Sequence, residues 1–375
     1  MKRTMENDRQ NHVTERVIEL AVQIQQIPAP TFDERERAEF VRARFLAEGL
    51  LDVGTDAAGN VFGRIPGGDA PPLVVSAHLD TVFPRGTDLR LARDPERIHG
   101  PGIGDNSVGV AALLGLAWRL RERGVRLPGD LWLAANTCEE GLGDLRGMKA
   151  VVERFGAGVT AYLVVEGMAL GHVYHRAVAV QRYRVSARTA GGHAWSDYGQ
   201  PSAVHELINL AARITAQSLP SSPRTTLNVG KISGGTSINT IAAEASFELD
   251  MRSESPQALA GLVAGVDALL ETANRPGVRV EAESIGRRPG GEIPASHPLV
   301  QCAVECLHAQ GIEANLIGGS TDANVPISRG LPALVMGVTT GGGAHTTAEF
   351  VDVAPLARGL NALADFAEKA FAVRR

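Results

Sequence analysis

Only three cysteines, Cys138, Cys302 and Cys306, occur in the 375 residues, too few for a disulfide framework and wrongly spaced for a zinc ribbon. Cys302 and Cys306 share a helix face, where packing accounts for them. Any metal must therefore be held by histidines and carboxylates. No run is long and apolar enough to span a bilayer. The first ten residues, Met1 to Gln10, are polar and lack the apolar stretch of a signal peptide. A cytoplasmic protein is the expectation. Long runs of Lys or Arg are also missing and the net charge is −5, which argues against nucleic acid as a partner. No Gly-x-Ser-x-Gly elbow follows a strand, so a serine hydrolase is set aside. Internal repeats and low-complexity segments are not evident.

What is present is an ordinary globular composition, with 44% hydrophobic and 21% charged residues. The length exceeds one typical core and suits two domains. In the first third, amphipathic stretches at residues 14–26 and 33–49 precede apolar strands at 61–65 and 73–77. A buried helix at 107–123 is followed by strands at 131–136 and 162–166. Alternating elements with near-continuous apolar strands predict an α/β sheet covered on both faces. In such sheets ligands gather where strands end.

The pattern changes after Val178. Residues 180–188 alternate polar and apolar as a strand with one wet face does. Helix 202–217, strands 225–232 and 243–252, helix 256–273 and strand 278–283 complete a β-α-β-β-α-β order, that of a ferredoxin-like unit. The α/β style resumes at Pro298 with helix 298–310, strand 333–338 and a terminal helix at 354–372. The expected domains are thus a discontinuous catalytic one, 1–178 plus 287–375, and an insert, 179–286.

His78-Leu79-Asp80 ends the apolar run from Leu73. Strand geometry puts the two polar residues on one side, so the carboxylate can orient the imidazole as a metal-bound histidine requires. A structural hydrogen bond is the alternative. Asp105 lies in the glycine-rich loop Gly100-Pro-Gly-Ile-Gly-Asp105 that opens a helix, where an N-cap is the plain reading. Glu139-Glu140 follow a buried strand, and adjacent carboxylates there repel unless a cation or a shared proton relieves them; a solvated loop pair is the other reading. Glu166 ends another apolar strand, and His345 sits in the loop Gly341-Gly-Gly-Ala-His345-Thr-Thr-Ala-Glu349. Two histidines and three or four carboxylates without thiolates suit two divalent ions, zinc, cobalt or manganese. The doublet then divides its work: one Glu binds metal and its neighbour serves as general base.

These motifs resemble the dinuclear-zinc exopeptidase and deacylase family that includes aminoacylase, glutamate carboxypeptidase, succinyl-diaminopimelate desuccinylase and peptidase T. The resemblance runs from His78 to His345 and covers most of the chain. It implies a mixed sheet flanked by helices with an inserted ferredoxin-like α+β domain that acts as lid and dimerisation surface, hence a homodimer. Asp105 would bridge two zinc ions, with His78 and Glu166 completing one site and Glu140 and His345 the other. Asp80 would orient His78, and a cis peptide bond is expected at Asp105-Asn106.

Thr189-Ala-Gly-Gly-His193-Ala-Trp195 looks like the family's signature loop, whose histidine contacts the substrate carbonyl from the partner subunit. By itself His193 is a histidine in a glycine-rich turn. Asn239 matches a substrate-touching asparagine, although Ala242 stands where relatives often have proline. Arg252 falls where relatives hold a substrate carboxylate, or it joins a surface ion pair. Gly318-Gly-Ser-Thr-Asp322 matches a loop beside the metals; Asp322 serves equally well as an N-cap.

The mechanism implied is attack by a metal-bridged hydroxide, formed when Glu139 takes a proton from water, on an amide carbonyl. The oxyanion would be held by metal and by His193. In relatives the longer acid at Glu166 accompanies carboxypeptidases and deacylases, which favours an N-acyl amino acid or a peptide with a free C-terminus. Glu139-Glu-Gly-Leu-Gly-Asp144 also resembles peptidase T-like members, so a di- or tripeptide aminopeptidase is the alternative. A non-catalytic metal-binding protein on the same scaffold is a third reading.

Overall fold

The computed structural model describes residues 2–373, with side chains from His12 onward. Two compact units result: residues up to Ala177 together with those from Glu292, and Val178–Gly291. The second border lies five residues beyond the expected 286/287. A bulge between Ser284 and Gly286 carries the strand on to Arg288 instead of ending it at Glu283.

The first unit is built on a mixed sheet in the order Leu51–Thr55, Val61–Ile65, Gly129–Asn136, Ala70–His78, Ala161–Glu166, Ala333–Gly337 and His172–Ala177. Asn315–Gly319 pairs with the last of these. Gly129–Asn136, Ala70–His78, Ala161–Glu166 and Ala333–Gly337 run parallel. Their registers align His78 with Asn136 and Gly337 with Glu166, so these strands finish at one edge.

The parallel strands are buried almost throughout, as their apolar runs require. Each buried Val, Leu or Ile contributes roughly 1.5–3 kcal/mol, which fixes the register that levels the strand ends. Helix Val108–Glu122 is buried from Val108 to Leu120, with Arg119 the one charged residue in that stretch. It packs against Lys2–Gln25, Leu356–Lys369 and strand Ala70–His78. The strands Leu51–Thr55 and His172–Ala177 and the helix Arg146–Phe155, amphipathic with Met148, Val151 and Val152 buried, were not anticipated.

The second unit is a four-stranded antiparallel sheet in the order Thr225–Gly234, Glu244–Ser253, Ala179–Arg188, Arg279–Arg288, the ferredoxin-like arrangement. Ala245, Phe247, Leu249 and Met251 pack towards helices Ala203–Thr215 and Pro256–Ala273, while the alternate residues carry cross-strand charge pairs. Among those pairs are Arg182 with Asp250 and Arg184 with Glu248. No described helix is long and apolar enough to cross a membrane.

Gly359 lies inside Leu356–Lys369, where propensity alone favours alanine by about 1 kcal/mol. A Cβ there would meet the Val338 carbonyl oxygen at 1.9 Å. Gly359→Ala is therefore expected to destabilise the fold by roughly 1–3 kcal/mol in urea denaturation; an unchanged or higher midpoint would contradict this close packing.

Candidate metal centre

The common edge of the parallel strands delivers the acidic and imidazole groups to one place. His78, the last residue of its strand, is buried with Nδ1 3.0 Å from the main-chain carbonyl oxygen of Asp80. The Asp80 carboxylate stands farther away, 3.6 Å from Nδ1. Asp80 thus orients the ring chiefly through its own backbone, and its carboxylate has another task. Oδ1 accepts the Glu139 N–H and Oδ2 the Glu140 N–H, each at 2.9 Å, while Thr31 Oγ1 donates to Oδ2 at 2.9 Å. One buried aspartate therefore fixes both the imidazole and the acidic doublet.

His78 Nε2 faces Asp105 Oδ1 at 3.0 Å and Glu166 Oε2 at 3.7 Å. His345 Nε2 faces Asp105 Oδ2 at 3.2 Å and Glu140 Oε1 at 3.1 Å. Two trios of ligand atoms result, each within 4.8 Å, and both contain Asp105. Bonds of 2.0–2.1 Å in tetrahedral geometry place ligand atoms about 3.3 Å apart, which is the spacing of these oxygens and nitrogens. The donor set, oxygen and imidazole alone, fits hard to borderline divalent ions. Glu139, buried and next in sequence to Glu140, belongs to neither trio.

The Asp105 loop is held from three directions. Glu349, fully buried, accepts the N–H groups of Gly102, Gly104 and Asp105 at 3.0, 2.7 and 2.8 Å. Asn106 donates to the Val165 carbonyl at 2.8 Å and accepts the Gly167 N–H at 2.9 Å, joining the loop to the strand that ends in Glu166. Phe350–Asp352 pairs with Arg97–His99, sewing the His345 loop to the one that carries Asp105. The Asp105-Asn106 peptide bond is cis, matching the expectation.

Charge is balanced closely here. Burial opposes a charged His78, yet hydrogen bonds to Asp105 foremost push its pKa well above the ordinary value. Hydrogen bonds to Asp105 and Glu140 raise His345 to about 10. Despite burial, the two imidazoles hold Asp105 below the usual carboxylate range. Burial raises Glu166, and lifts Glu349 and Asp322 to about 7. Asp322 is no N-cap: its carboxylate is buried and accepts from Asn136 Nδ2 at 2.7 Å.

The remaining candidates lie in the second unit. His193 pairs with Thr240 in a two-residue ladder, and the Asn239 carbonyl accepts the Ala194 N–H at 2.9 Å, so these two loops meet. Arg252 is on the wet face of the central strand Glu244–Ser253, not on an edge, with Nε donating to Asp250 Oδ2 at 2.7 Å. Glu349, Thr31, Asn106 and Asn136 were not singled out in advance. Glu349 had a signal, an acid four residues after His345 at the start of a strand; the other three act by tertiary contacts that spacing does not reveal.

Residues 74–369 match peptidase family M20/M25/M40, and the chain belongs to this family. YqjE of Bacillus subtilis is 24% identical over 340 residues, covering 86% of this chain and 90% of its own length. A putative succinyl-diaminopimelate desuccinylase of Mycobacterium tuberculosis is 24% identical over 359 residues, covering 92% and 96%. The fold is that of a tripeptidase structure from Staphylococcus aureus, with a TM-score of 0.80 and 24% identity over 96% of this chain and 99% of that one. The chain is accordingly a hydrolytic enzyme of the dinuclear-metal type.

Metal binding must displace the protons that His78 and His345 retain. At pH 8, below the value of about 10 for His345, loading two ions is expected to release about two protons, read by calorimetry in buffers of different ionisation enthalpy. The raised histidines stabilise the metal-free fold fully below their unfolded pKa near 6.5, and this contribution is lost as pH climbs through about 10. Chelated protein should therefore melt at progressively lower temperature from pH 7 to 10, with a shallower fall once metal is bound. A metal titration that releases no protons would contradict this site.

Proposed function

We propose that the chain hydrolyses the amide bond of an N-acyl amino acid, or of a short peptide with a free C-terminus, using Glu139 as general base. The observation that carries this reading is the shared carboxylate: Asp105 turns one oxygen to His78 and the other to His345. His78, Asp105 and Glu166 would hold one ion, and Asp105, Glu140 and His345 the other. Zinc is the assigned metal, with cobalt or manganese served by the same donors. When bound, such a pair supplies Lewis acidity that acidifies water and polarises a carbonyl.

Glu139 does the proton work. Its backbone N–H is held by Asp80, and it stands next in sequence to Glu140 without joining either trio of ligand atoms. It takes the proton from the attacking water and returns it to the leaving amine. His193 donates to the developing oxyanion, contributed in trans within a homodimer formed through the insert domain, as the family resemblance implies. Asn239 and Arg252 are assigned to substrate, Arg252 to a carboxylate, which must share the guanidinium with Asp250.

Glu166 in place of a shorter acid supports a deacylase or carboxypeptidase, as does the likeness to a desuccinylase. The Glu139-to-Asp144 motif and the tripeptidase fold support a second reading, a di- or tripeptide aminopeptidase. Buried free cysteines suit a cytoplasmic setting. Neither a nucleic acid nor a membrane is required as a partner.

A panel of N-acetyl amino acids and free tripeptides, assayed with zinc, cobalt or manganese, separates the two readings; turnover confined to the tripeptides would overturn the deacylase assignment. Glu139→Gln is expected to lower kcat by about 10²- to 10⁴-fold with bound metal unchanged. Substantial residual turnover with both ions in place would remove Glu139 as the base. Activity that survives chelation would overturn the metal mechanism altogether.

A further inference from the structure

The loop that carries His193 closes on itself through side chains whose arrangement decides which ring nitrogen of His193 bears the proton. The main-chain N–H groups of Trp195 and Ser196 point at Nδ1 from 3.2 and 3.3 Å. Ser196 Oγ stands 3.5 Å from the same atom. Main-chain N–H groups can only donate, so Nδ1 is an acceptor and the neutral ring carries its proton on Nε2.

Asp197 holds this turn. Its Oδ2 accepts the His193 N–H at 2.7 Å, and its own N–H donates to the His193 carbonyl at 2.9 Å. The two bonds bring residues 195 and 196 back over the imidazole. Gly192 leaves the space that this requires: a Cβ there would meet Asp197 Oδ2 at 2.9 Å and Asp197 Cβ at 3.0 Å. Gly191, at φ 67°, takes the left-handed conformation that leads the chain into the turn.

We propose that Asp197 is a positioning residue that locks His193 as the Nε2–H tautomer, making the exposed ring nitrogen a hydrogen-bond donor and not a base. This rests on the assignment of His193 to the substrate oxyanion and adds the direction of its hydrogen bond. A neutral donor suits a position where negative charge develops only as the carbonyl is attacked. Proton transfer then falls to Glu139 alone. The Nδ1–H tautomer would present a lone pair at Nε2 and repel the oxyanion, so the tautomer itself carries the consequence.

The test uses the full-length protein labelled with ¹⁵N-histidine, with the His193 ring signals identified by their absence from the His193→Gln spectrum. Long-range ¹H–¹⁵N correlation is expected to show Nε2 protonated and Nδ1 unprotonated. Asp197→Ala is expected to move His193 towards a mixture of tautomers, and Asp197→Asn, which keeps an acceptor for the His193 N–H, to restore the wild-type pattern. On N-acetylalanine or trialanine, whichever is hydrolysed, Asp197→Ala should lower kcat roughly tenfold with KM little changed, against about 10²-fold for His193→Gln.

An Nδ1–H pattern in the wild type, or an Asp197→Ala protein whose spectrum and kcat both match the wild type, would overturn the proposal. If the spectra behave as expected but His193→Gln keeps full kcat, the catalytic consequence falls together with the role given to His193, while the tautomer lock stands. The two failures are therefore distinguishable.

Discussion

The mutual repulsion of Asp80, Asp105, Glu140 and Glu166 is the constraint around which the first unit is arranged. Four parallel strands bring their carboxyl ends to one edge, where burial would ordinarily force such acids to take up protons. Each acid is answered locally. Asp80 receives two main-chain N–H groups and a hydroxyl. Asp105 receives two imidazoles, and Glu140 and Glu166 one each. Without metal the imidazoles can supply positive charge only by keeping protons, and divalent ions held by these trios would supply a larger charge in their place.

This arrangement separates rigid support from reactive groups. Glu349 spends its carboxylate on three backbone N–H groups of the Asp105 loop, and Asn106 ties the same loop to the neighbouring strand. Asp80 does the equivalent for the doublet, fixing the backbones of Glu139 and Glu140 together. Asp197 repeats the device in the second unit, where an aspartate anchored to main chain sets the direction of a histidine. In each case an acid bonded to main-chain N–H groups fixes where its neighbours point.

Much of this was legible because its causes are local. The buried strands announced themselves by apolar runs, and the ligand acids by standing at their ends, where an unpaired carboxylate needs a reason. His78 and Asp80 were readable as a pair, but their geometry was not: the backbone carbonyl of Asp80, at 3.0 Å, stands nearer Nδ1 than the carboxylate, at 3.6 Å. That carboxylate is engaged instead by residues 59 and 60 positions further along the chain. Asn136 and Asp322 pair across 186 residues, a separation over which no spacing rule operates. Arg252 was placed on the correct strand, and its partner Asp250, two residues back on the same face, was within reach of the same strand spacing but was not singled out.

The central claim is that one carboxylate, Asp105, joins two metal sites. Anomalous X-ray diffraction from crystals loaded with zinc tests it most directly. The account predicts two anomalous peaks about 3.5–4 Å apart, one beside His78 and Glu166, the other beside Glu140 and His345, with Asp105 between them. A single peak, or two peaks that do not share Asp105, would contradict it.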